Sequence, residues 1–326
     1  MTQSPLRVAV VQAAPAFLDL EAGVAKTLAL IEQAAQRGAK LIAFPECWIP
    51  GYPWWIWLDS PAWGMQFVRR YHENSPRADG PEMDAIRRAA KQHGIFVVLG
   101  FTERDAGTLY IAQQLIDADG RLIASRRKLK ATHVERTVFG EGDGSDLRVH
   151  DTTIGRLGAL CCWEHLNPLN KYILFSQHEQ IHVGAWPSFS VYEGAAYALG
   201  PQLNTALSQV YAAEGQCFVL ASCGLVSPAM HELLCDTPNK QELLRTGGGA
   251  AMIFGPDGRP LCTPLAADEE GLLVADLDLG LIALAKSAAD PVGHYSRPDV
   301  ARVVFNPHPQ SRIVRLPPVD DLAEPG

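Results

Sequence analysis

The sequence predicts a mixed α/β protein in which a mixed β-sheet is covered by helices, and three observations support this class. Apolar runs rich in β-branched residues alternate with segments whose apolar residues recur at helical spacing, as in β-α-β units. Two further pairs of apolar runs flank the short turns over 117–120 and 255–258, as in β-hairpins. The 326 residues are 47% hydrophobic and 20% charged, a globular composition.

In the first half of the chain, strands are expected over 6–13, 41–44, 95–101, 109–116 and 122–127, and helices over 21–37 and 81–93. The first helix carries Leu28 and Ile31 on one apolar face, and Gly38 is placed as its C-terminal cap. Pro81 opens the second helix, where its missing N–H is not needed, and Gly94 ends it.

The second half continues the alternation and ends in a different kind of segment. Strands are expected over 157–161, 181–186, 217–222, 250–254 and 261–263, and helices over 168–180 and 202–215. After about Asp290 the chain is rich in proline and has too few periodic apolar residues to form its own core. We therefore expect an extended C-terminal arm.

Composition excludes several classes of function. The net charge is −8 and no run of like charge is long enough to bind nucleic acid or a membrane surface. No stretch of about eighteen apolar residues predicts a membrane-spanning helix. The first residues read as a strand and not as a secretory signal, since their apolar run is broken by Gln12 and Pro15. The seven cysteines are an odd number in a long chain without a signal, which favours reduced thiols in the cytoplasm. They include no CxxC pair, which argues against a zinc ribbon or a dithiol redox motif.

Three segments could carry chemistry, and each follows a predicted strand, where ligands bind in α/β sheets. In the first, FPECWIPGYPWW, Glu46 enters an aromatic neighbourhood that would raise its pKa and suit a general base. Taken alone, this glutamate is more often a structural, ion-paired residue at a strand end.

The second segment is SRRKLKATHVERTVFGEGDGS. Its basic residues Arg126, Arg127, Lys128 and Lys130 read, on their own, as a solvated face. Glu135 and a glycine-rich loop follow closely, and glycines at this density let the backbone approach a ligand. One lysine of the run is therefore a candidate to face a site.

The third segment, LGALCCWEHLNPL, ends a strand at Cys161 and Cys162 before a helix begins. A thiol at such a turn feels the positive end of the helix dipole, which activates a nucleophile. Two adjacent cysteines can equally be small core residues, and strand alternation lets only one face a site. His165 allows a Cys-His dyad or a structural hydrogen bond, and no histidine spacing predicts a metal site.

A cluster of tryptophans follows the first segment at positions 48, 54, 55, 57 and 63. Such clusters usually belong to a core or an oligomer interface, although one or two members can line an apolar pocket.

Together these segments resemble the nitrilase branch of the carbon–nitrogen hydrolase superfamily. The resemblance extends from RVAVVQAAP to GHYSRPDV and rests on three motifs in order. These are FPE at 44–46, RKL-xx-T-xx-ER at 127–136 and CWEH-xx-PL at 162–169. One departure is Ala131, where the family often has proline. Because this position carries no chemistry, it indicates a subgroup difference only.

The resemblance implies a four-layer αββα sandwich with two mixed sheets, forming one domain over 1–290 with the arm over 291–326. It implies a catalytic triad of Glu46, Lys128 and Cys162, with Glu135 as a second carboxylate and no metal or organic cofactor. It also identifies Cys162, and not Cys161, as the nucleophile. Lys128 and the backbone N–H of Trp163 would stabilise charge that develops on the substrate.

The expected reaction is hydrolysis of a nitrile to the acid and ammonia, with arylacetonitriles preferred by resemblance to that subgroup. The side chains proposed to bind the substrate are Tyr52, Trp57, Trp163, His165, Trp186 and Phe189. An amidase or carbamoylase of the same superfamily, and a catalytically silent scaffold on the same fold, are the alternatives. The expected partners are the small-molecule nitrile and further copies of the chain, in a homo-oligomer as large as a spiral assembly.

Overall fold

A computed structural model of the protein describes residues 5–311 and 313–315. The rest of the expected arm, residue 312 and residues 316–326, lies outside the described residues. Within them, the strands are β1 (Leu6–Ala13), β2 (Leu41–Ala43), β3 (Phe96–Asp105), β4 (Thr108–Ile116), β5 (Leu122–Arg127), β6 (Phe139–Gly140), β7 (His150–Thr152), β8 (Gly155–Cys161), β9 (Ile181–Trp186), β10 (Phe218–Gly224), β11 (Met252–Phe254) and β12 (Gly271–Leu277). The α-helices are α1 (Leu20–Gln36), α2 (Pro61–Asn74), α3 (Pro81–His93), α4 (Pro168–Ser176), α5 (Pro201–Gly215), α6 (Pro228–Leu234), α7 (Pro238–Leu243) and α8 (Leu281–Ala288).

The strands form two mixed sheets that join at one corner. Their order is β5-β4-β3-β2-β1-β10-β9-β8-β7, and β12, β11 and β6 pair with β1, β10 and β4. β1, β2 and β3 run parallel, as do β8, β9 and β10, whereas β3, β4 and β5 are antiparallel. Between the two halves β1 pairs with β10 through Gln12 with Cys223 and Ala13 with Gly224. The chain therefore folds as two sheets that are joined where the ends of β1 and β10 meet.

The two sheets pack face to face, with helices outside. Val8 and Val10 of β1 share a core with Ala159 and Val183 of the other sheet. The alternate residues of β1, represented by Ala9, pack in a second core with α1 and α3. On the other side, α4 and α5 cover β9 and β10. This arrangement confirms the predicted four-layer sandwich.

Most predicted elements occur close to their expected bounds, and β1, β9 and α3 match them residue for residue. Two expectations are wrong. The helix expected over 168–180 ends at Ser176. Residues 261–263 form no strand: beyond the turn, only Pro260 makes an isolated bridge to Phe254. Proline lacks the N–H that a continuing ladder needs, and this explains the early end.

Several elements lie in segments for which no element was predicted: α2, α6, α7, α8 and β12. For α2 the signal was present, because Ser60 caps the helix and Pro61 occupies its first position. β12 pairs antiparallel along nearly all of β1. None of the described helices is both long and apolar enough to cross a membrane.

Candidate active site

The four predicted catalytic side chains come from three connections of the fold, since Lys128 and Glu135 both lie between β5 and β6. Glu46 follows β2, Lys128 follows β5 directly, and Glu135 lies in a short 3₁₀ helix, His133–Thr137. Cys162 begins another 3₁₀ helix, Cys162–Leu166, immediately after β8. All four residues are buried, with Cys162 the most exposed at 8%. Residues that follow β2, β5 and β8 in the sequence therefore meet in one interior cluster.

Lys128 joins the two carboxylates. Its Nζ lies 2.7 Å from Glu46 Oε1 and 2.8 Å from Glu135 Oε2. Glu135 is fixed further by the Thr132 N–H at 2.7 Å and by the Tyr52 hydroxyl, which donates to Oε1 at 2.8 Å. Both oxygens of Glu135 thus have donors. Glu46 differs: although its Oε2 is buried, it has no hydrogen-bond partner among the described residues.

Burial and charge set the protonation of this cluster. Burial disfavours the ionised carboxylate and raises the pKa of Glu46 to about 8, although the Lys128 ammonium opposes it. Burial alone would lower the pKa of Lys128, but the charges of Glu135 and Glu46 outweigh it and hold that pKa well above its usual value. The lysine therefore stays charged, while Glu46 is poised to gain or lose a proton near neutral pH.

Cys162 adopts an unusual backbone conformation. Its φ is +45°, in the left-handed region that non-glycine residues rarely occupy. Burial, and next the charge of Glu46, raise the pKa of its thiol well above the ordinary value, while Lys128 and the Trp163 N–H lower it. The free thiol is therefore protonated at neutral pH, and the thiolate must form during the reaction.

Cys161 has different surroundings, as the sequence motif predicts. It is fully buried and its Sγ lies 3.9 Å from the Arg126 guanidinium, between the sheets. Arg126 in turn pairs with Glu164 at 2.7 Å. Glu164 also accepts the N–H of Leu129 at 2.9 Å and of Cys161 at 2.7 Å. This carboxylate ties the lysine segment to the cysteine turn, a role not assigned to it from the sequence.

A cavity opens over Cys162 and Glu135. Its wall is largely aromatic and aliphatic, with a few polar groups, and the described residues that form it are Tyr52, Trp54, Trp57, Thr132, Trp163, Pro187, Ser188, Phe189, Val191, Leu199 and Asn204. A largely apolar wall with a few polar groups is typical of small-molecule sites. Thus Tyr52, Trp57, Trp163 and Phe189 lie where substrate-binding residues were expected.

Two of the expected binding residues lie elsewhere. Trp186 is 1% exposed and stacks on His165 with ring centroids 4.9 Å apart, one layer behind the cavity wall. His165 is fully buried, and its ring nitrogens contact the Cys162 carbonyl and His182 instead of the thiol. Neither residue reaches the cavity, and the geometry gives His165 no dyad with the Cys162 sulfur.

Trp54, Leu199 and Asn204 line the cavity but were not singled out for it. Asn204 accepts a hydrogen bond from Trp163 Nε1 at 2.9 Å and so fixes one wall. Leu199 and Asn204 follow β9 by many residues, so no local pattern connects them to Cys162. Within the described part of the chain, no group of three or more His, Cys, Asp or Glu side chains is arranged to hold a metal ion.

Comparison with known proteins places this geometry in a family. The carbon–nitrogen hydrolase family matches residues 7–287. A nitrilase of Pseudomonas syringae pv. syringae is 62% identical over 97% of this chain and 94% of its own. An aliphatic nitrilase of Rhodococcus rhodochrous is 54% identical over 92% and 82% of the two chains, and an arylacetone-specific nitrilase of Alcaligenes faecalis 52% identical over 94% and 86%.

Solved structures show the same fold at much lower identity. The carbon–nitrogen hydrolase of Helicobacter pylori G27 superposes with a TM-score of 0.71 at 17% identity, over 90% of this chain and 96% of the other. The fold, the motifs and the high identity of the relatives agree. This chain belongs to the carbon–nitrogen hydrolase family and is an enzyme of its nitrilase branch.

Proposed function

We propose that this enzyme hydrolyses a nitrile to the carboxylic acid and ammonia, with Cys162 as nucleophile, Glu46 as general base and Lys128 as electrostatic stabiliser. The observation that carries the proposal is the cluster beside the cavity. Lys128 holds one oxygen of Glu46 at 2.7 Å, and the second oxygen is buried with no hydrogen-bond partner in the described part of the chain. An unpaired, buried carboxylate oxygen is a strong proton acceptor.

In the first half of the reaction, the Cys162 sulfur attacks the nitrile carbon as its proton passes to Glu46. The nitrile nitrogen receives that proton, and the product is a covalent thioimidate with no change in the total number of protons. Negative charge that develops on the nitrogen is stabilised by the Lys128 ammonium and the Trp163 N–H. Each such donor typically contributes about 10²–10³ in rate.

In the second half, Glu46 takes a proton from water as the hydroxide adds to the thioimidate carbon, and Glu46 then returns that proton to the substrate nitrogen. The tetrahedral intermediate loses ammonia to give a thioester, which a second water hydrolyses to the acid and the free thiol. Loss of the thiol in place of ammonia would release the amide. Glu135 accepts hydrogen bonds from Tyr52 and Lys128, and it keeps the Lys128 side chain in position through both halves of the reaction.

Side-by-side turnover tests the reaction against the amidase alternative. Phenylacetonitrile and phenylacetamide are supplied separately, and ammonia and the organic products are measured. We expect the nitrile to be converted and Cys162 to carry a substrate adduct in mass spectra of the quenched enzyme. Conversion of the amide alone would indicate an amidase, and conversion of neither would support a silent scaffold.

For the substrate, the cavity favours arylacetonitriles. Trp54, Trp57 and Phe189 offer aromatic surface close to Cys162. In an arylacetonitrile one sp³ carbon lets the ring bend toward this surface while the nitrile reaches the sulfur, whereas the ring and nitrile of benzonitrile are collinear. The relatives include both aliphatic and arylacetone-specific enzymes, so this preference rests on the cavity wall. A higher kcat/KM for benzonitrile or a short aliphatic nitrile would contradict it.

For assembly, we propose a homo-oligomer in which the arm over 291–326 docks on a neighbouring copy of the domain over 1–290, with a spiral as the larger form. Tyr295, Val300, Val304, Ile313 and Val314 of the arm each expose at least two thirds of their surface. Such a row of exposed apolar side chains is typical of an interface. Light scattering that shows only a monomer of about 35 kDa would contradict this proposal.

The proposed location is the cytoplasm, supported by the cysteines. All seven are free, and six of them are buried. Free thiols at this number fit a reducing compartment.

A further inference from the structure

Behind Cys162, on the side away from the cavity, buried polar side chains form a continuous hydrogen-bonded chain that the reaction above does not use. His165 Nδ1 lies 2.6 Å from the Cys162 carbonyl oxygen, and His165 Nε2 lies 2.9 Å from His182 Nε2. His182 Nδ1 lies 2.8 Å from Glu179 Oε1, and the Tyr211 hydroxyl donates to Glu179 Oε2 at 2.5 Å. None of these four residues is more than 2% exposed. We call them the rear chain.

Two glycines make room for the rear chain. A Cβ on Gly158 of β8 would lie 1.9 Å from Glu179 Oε1, and a Cβ on Gly184 of β9 would lie 3.3 Å from His165 Nε2. A side chain at Gly158 would displace the Glu179 carboxyl group. The sheet is therefore shaped to admit these polar groups.

The direction of each hydrogen bond in the rear chain follows from the group at one end, the Cys162 carbonyl. A carbonyl only accepts, so His165 Nδ1 carries a proton and donates to Cys162. If His165 is neutral, its Nε2 is an acceptor, and His182 Nε2 must donate to it. The Nδ1 of a neutral His182 is then an acceptor as well, and only a protonated Glu179 can donate to it. Three protons satisfy three hydrogen bonds without any buried charge.

Burial favours this uncharged arrangement. It lowers the pKa of His165 to about 3 and that of His182 well below the ordinary value. It raises the pKa of Glu179 to about 8, against the opposing hydrogen bond from Tyr211. Both histidines are thus neutral, and the acid of the chain is Glu179.

At its Cys162 end, the rear chain acts on the peptide bond that links Cys162 to Trp163. A trans peptide is planar, with its C=O and N–H directed oppositely. The Cys162 carbonyl held by His165 therefore fixes the direction of the Trp163 N–H, which reaches toward the Cys162 sulfur. The left-handed backbone conformation of Cys162 is strained, and such conformations persist only where the surrounding structure holds them.

We propose that Glu179, His182 and His165 are positioning residues for catalysis: as a proton-locked chain they hold the Cys162–Trp163 peptide so that its N–H meets the developing charge of the substrate. This inference rests on the proposed function, since the N–H matters only if charge develops beside Cys162. The chain itself exchanges no proton with the substrate.

Three variants of His165 separate positioning from packing. Asn places an N–H near the position of Nδ1 and can still donate to the Cys162 carbonyl, whereas Gln mimics Nε2 and Leu mimics neither. The matched control is His178→Asn, at an exposed histidine next to Glu179 whose φ of +59° asparagine tolerates. For each variant, kcat on phenylacetonitrile is compared with the rate at which iodoacetamide alkylates Cys162.

Alkylation needs no donor for a charge that develops on the substrate, so its rate reports only the access and the ionisation of the Cys162 thiol. We expect His165→Leu and His165→Gln to lose kcat by about 10²-fold or more, with KM and the alkylation rate changed only a few-fold. His165→Asn should recover most of the loss, and His178→Asn should match the wild type. Equal loss in Asn and Leu, or alkylation that falls in step with kcat, would overturn the proposal.

A second measurement uses the wild-type enzyme and therefore does not depend on whether the variants fold. Nitrogen-15 spectra of the histidine rings in the wild-type enzyme should show His165 as the Nδ1–H tautomer and His182 as the Nε2–H tautomer, both neutral, from about pH 6 to pH 7. A charged ring or the opposite tautomer would overturn the proton-locked chain. Failure of the proposed function would be visible separately, as a wild-type enzyme that is alkylated at Cys162 but converts no nitrile.

Discussion

Cys162 lies between two buried clusters that each contain a glutamate, and their contrast shows how the enzyme uses buried charge. In front, Glu46 and Glu135 flank the Lys128 ammonium, and Glu46 Oε2 has no hydrogen-bond partner among the residues that the structure describes. Behind, Glu179 has partners on both oxygens, and no charged group in residues 5–311 and 313–315 lies within hydrogen-bond distance of it. Burial raises the pKa of both Glu46 and Glu179 to about 8.

The difference lies in what each cluster can do with its proton. The front cluster keeps a permanent charge and an open acceptor, so a proton can arrive and leave during turnover. The rear chain has every donor matched to an acceptor, so loss of a proton would break a hydrogen bond and leave a buried charge. In the proposed reaction, similar pKa values therefore serve opposite purposes: Glu46 moves a proton and Glu179 keeps one.

The largest expected effect separates the two adjacent cysteines. Cys162→Ala should abolish turnover with an unchanged circular dichroism spectrum, because the nucleophile is lost. Cys161→Ala should keep substantial activity, because Arg126 retains Glu164 and Gln113 as partners. Product assays measure both. A substrate adduct located on Cys161 by mass spectrometry would reverse the assignment.

The next effect tests the charge of the front cluster. Lys128→Met should reduce kcat by at least about 10²-fold and destabilise the fold, because two buried carboxylates lose their shared cation. Lys130→Met is the matched control, since Lys130 is largely exposed and pairs with Glu141 on the surface. It should change kcat and the melting temperature little. Equal kcat in the two variants would contradict the role of Lys128.

A smaller effect tests the rear chain through stability. Because its pKa is raised in the fold, Glu179 stabilises the protein fully below about pH 4.5, its ordinary pKa, and this contribution is lost as the pH rises to about 8. Glu179→Gln should therefore weaken the decline of the unfolding free energy between these values. Urea denaturation across this pH range measures it. An unchanged slope would show that Glu179 is ionised in the folded enzyme.

The smallest effects concern the cavity wall and the layer behind it. Phe189→Ala should mainly raise KM for arylacetonitriles, because Phe189 lines the cavity. Trp186→Ala should alter substrate preference and the acid-to-amide ratio, because it removes the ring on which His165 stacks and against which Phe189 packs. Product chromatography measures both. An unchanged ratio in Trp186→Ala would show that the layer behind the wall does not control which group leaves.

The sequence predicted the front cluster better than the rear chain, for a physical reason. Each front residue belongs to a motif at a strand end, and the topology of the sandwich brings those ends together. The contact of His165 with His182 depends on the spacing between β8 and β9 and on Gly158 and Gly184, which no local pattern reveals. For the same reason Trp186, directly at the end of β9, was expected in the cavity but lies one layer behind it.

The predictions of the secondary-structure elements differ in the same way, according to whether the signal is local. Elements with caps and regular apolar spacing, such as α3 with Pro81 and Gly94, were predicted to the residue. α2 was missed because its tryptophan-rich surroundings hide the Ser60–Pro61 start signal, and β12 because its partner, β1, is distant in sequence.

The most direct test compares kcat for Glu46→Gln and Glu179→Gln on phenylacetonitrile at one pH. Gln at 46 keeps a hydrogen bond to Lys128 but cannot take a proton, so kcat should fall by at least about 10²-fold. Gln at 179 reproduces a neutral acid, with an N–H for His182 and an oxygen for the Tyr211 hydroxyl, so kcat should stay within a few-fold of the wild type. Comparable losses in the two variants, or full activity in Glu46→Gln, would contradict the assignment of one moving and one retained proton.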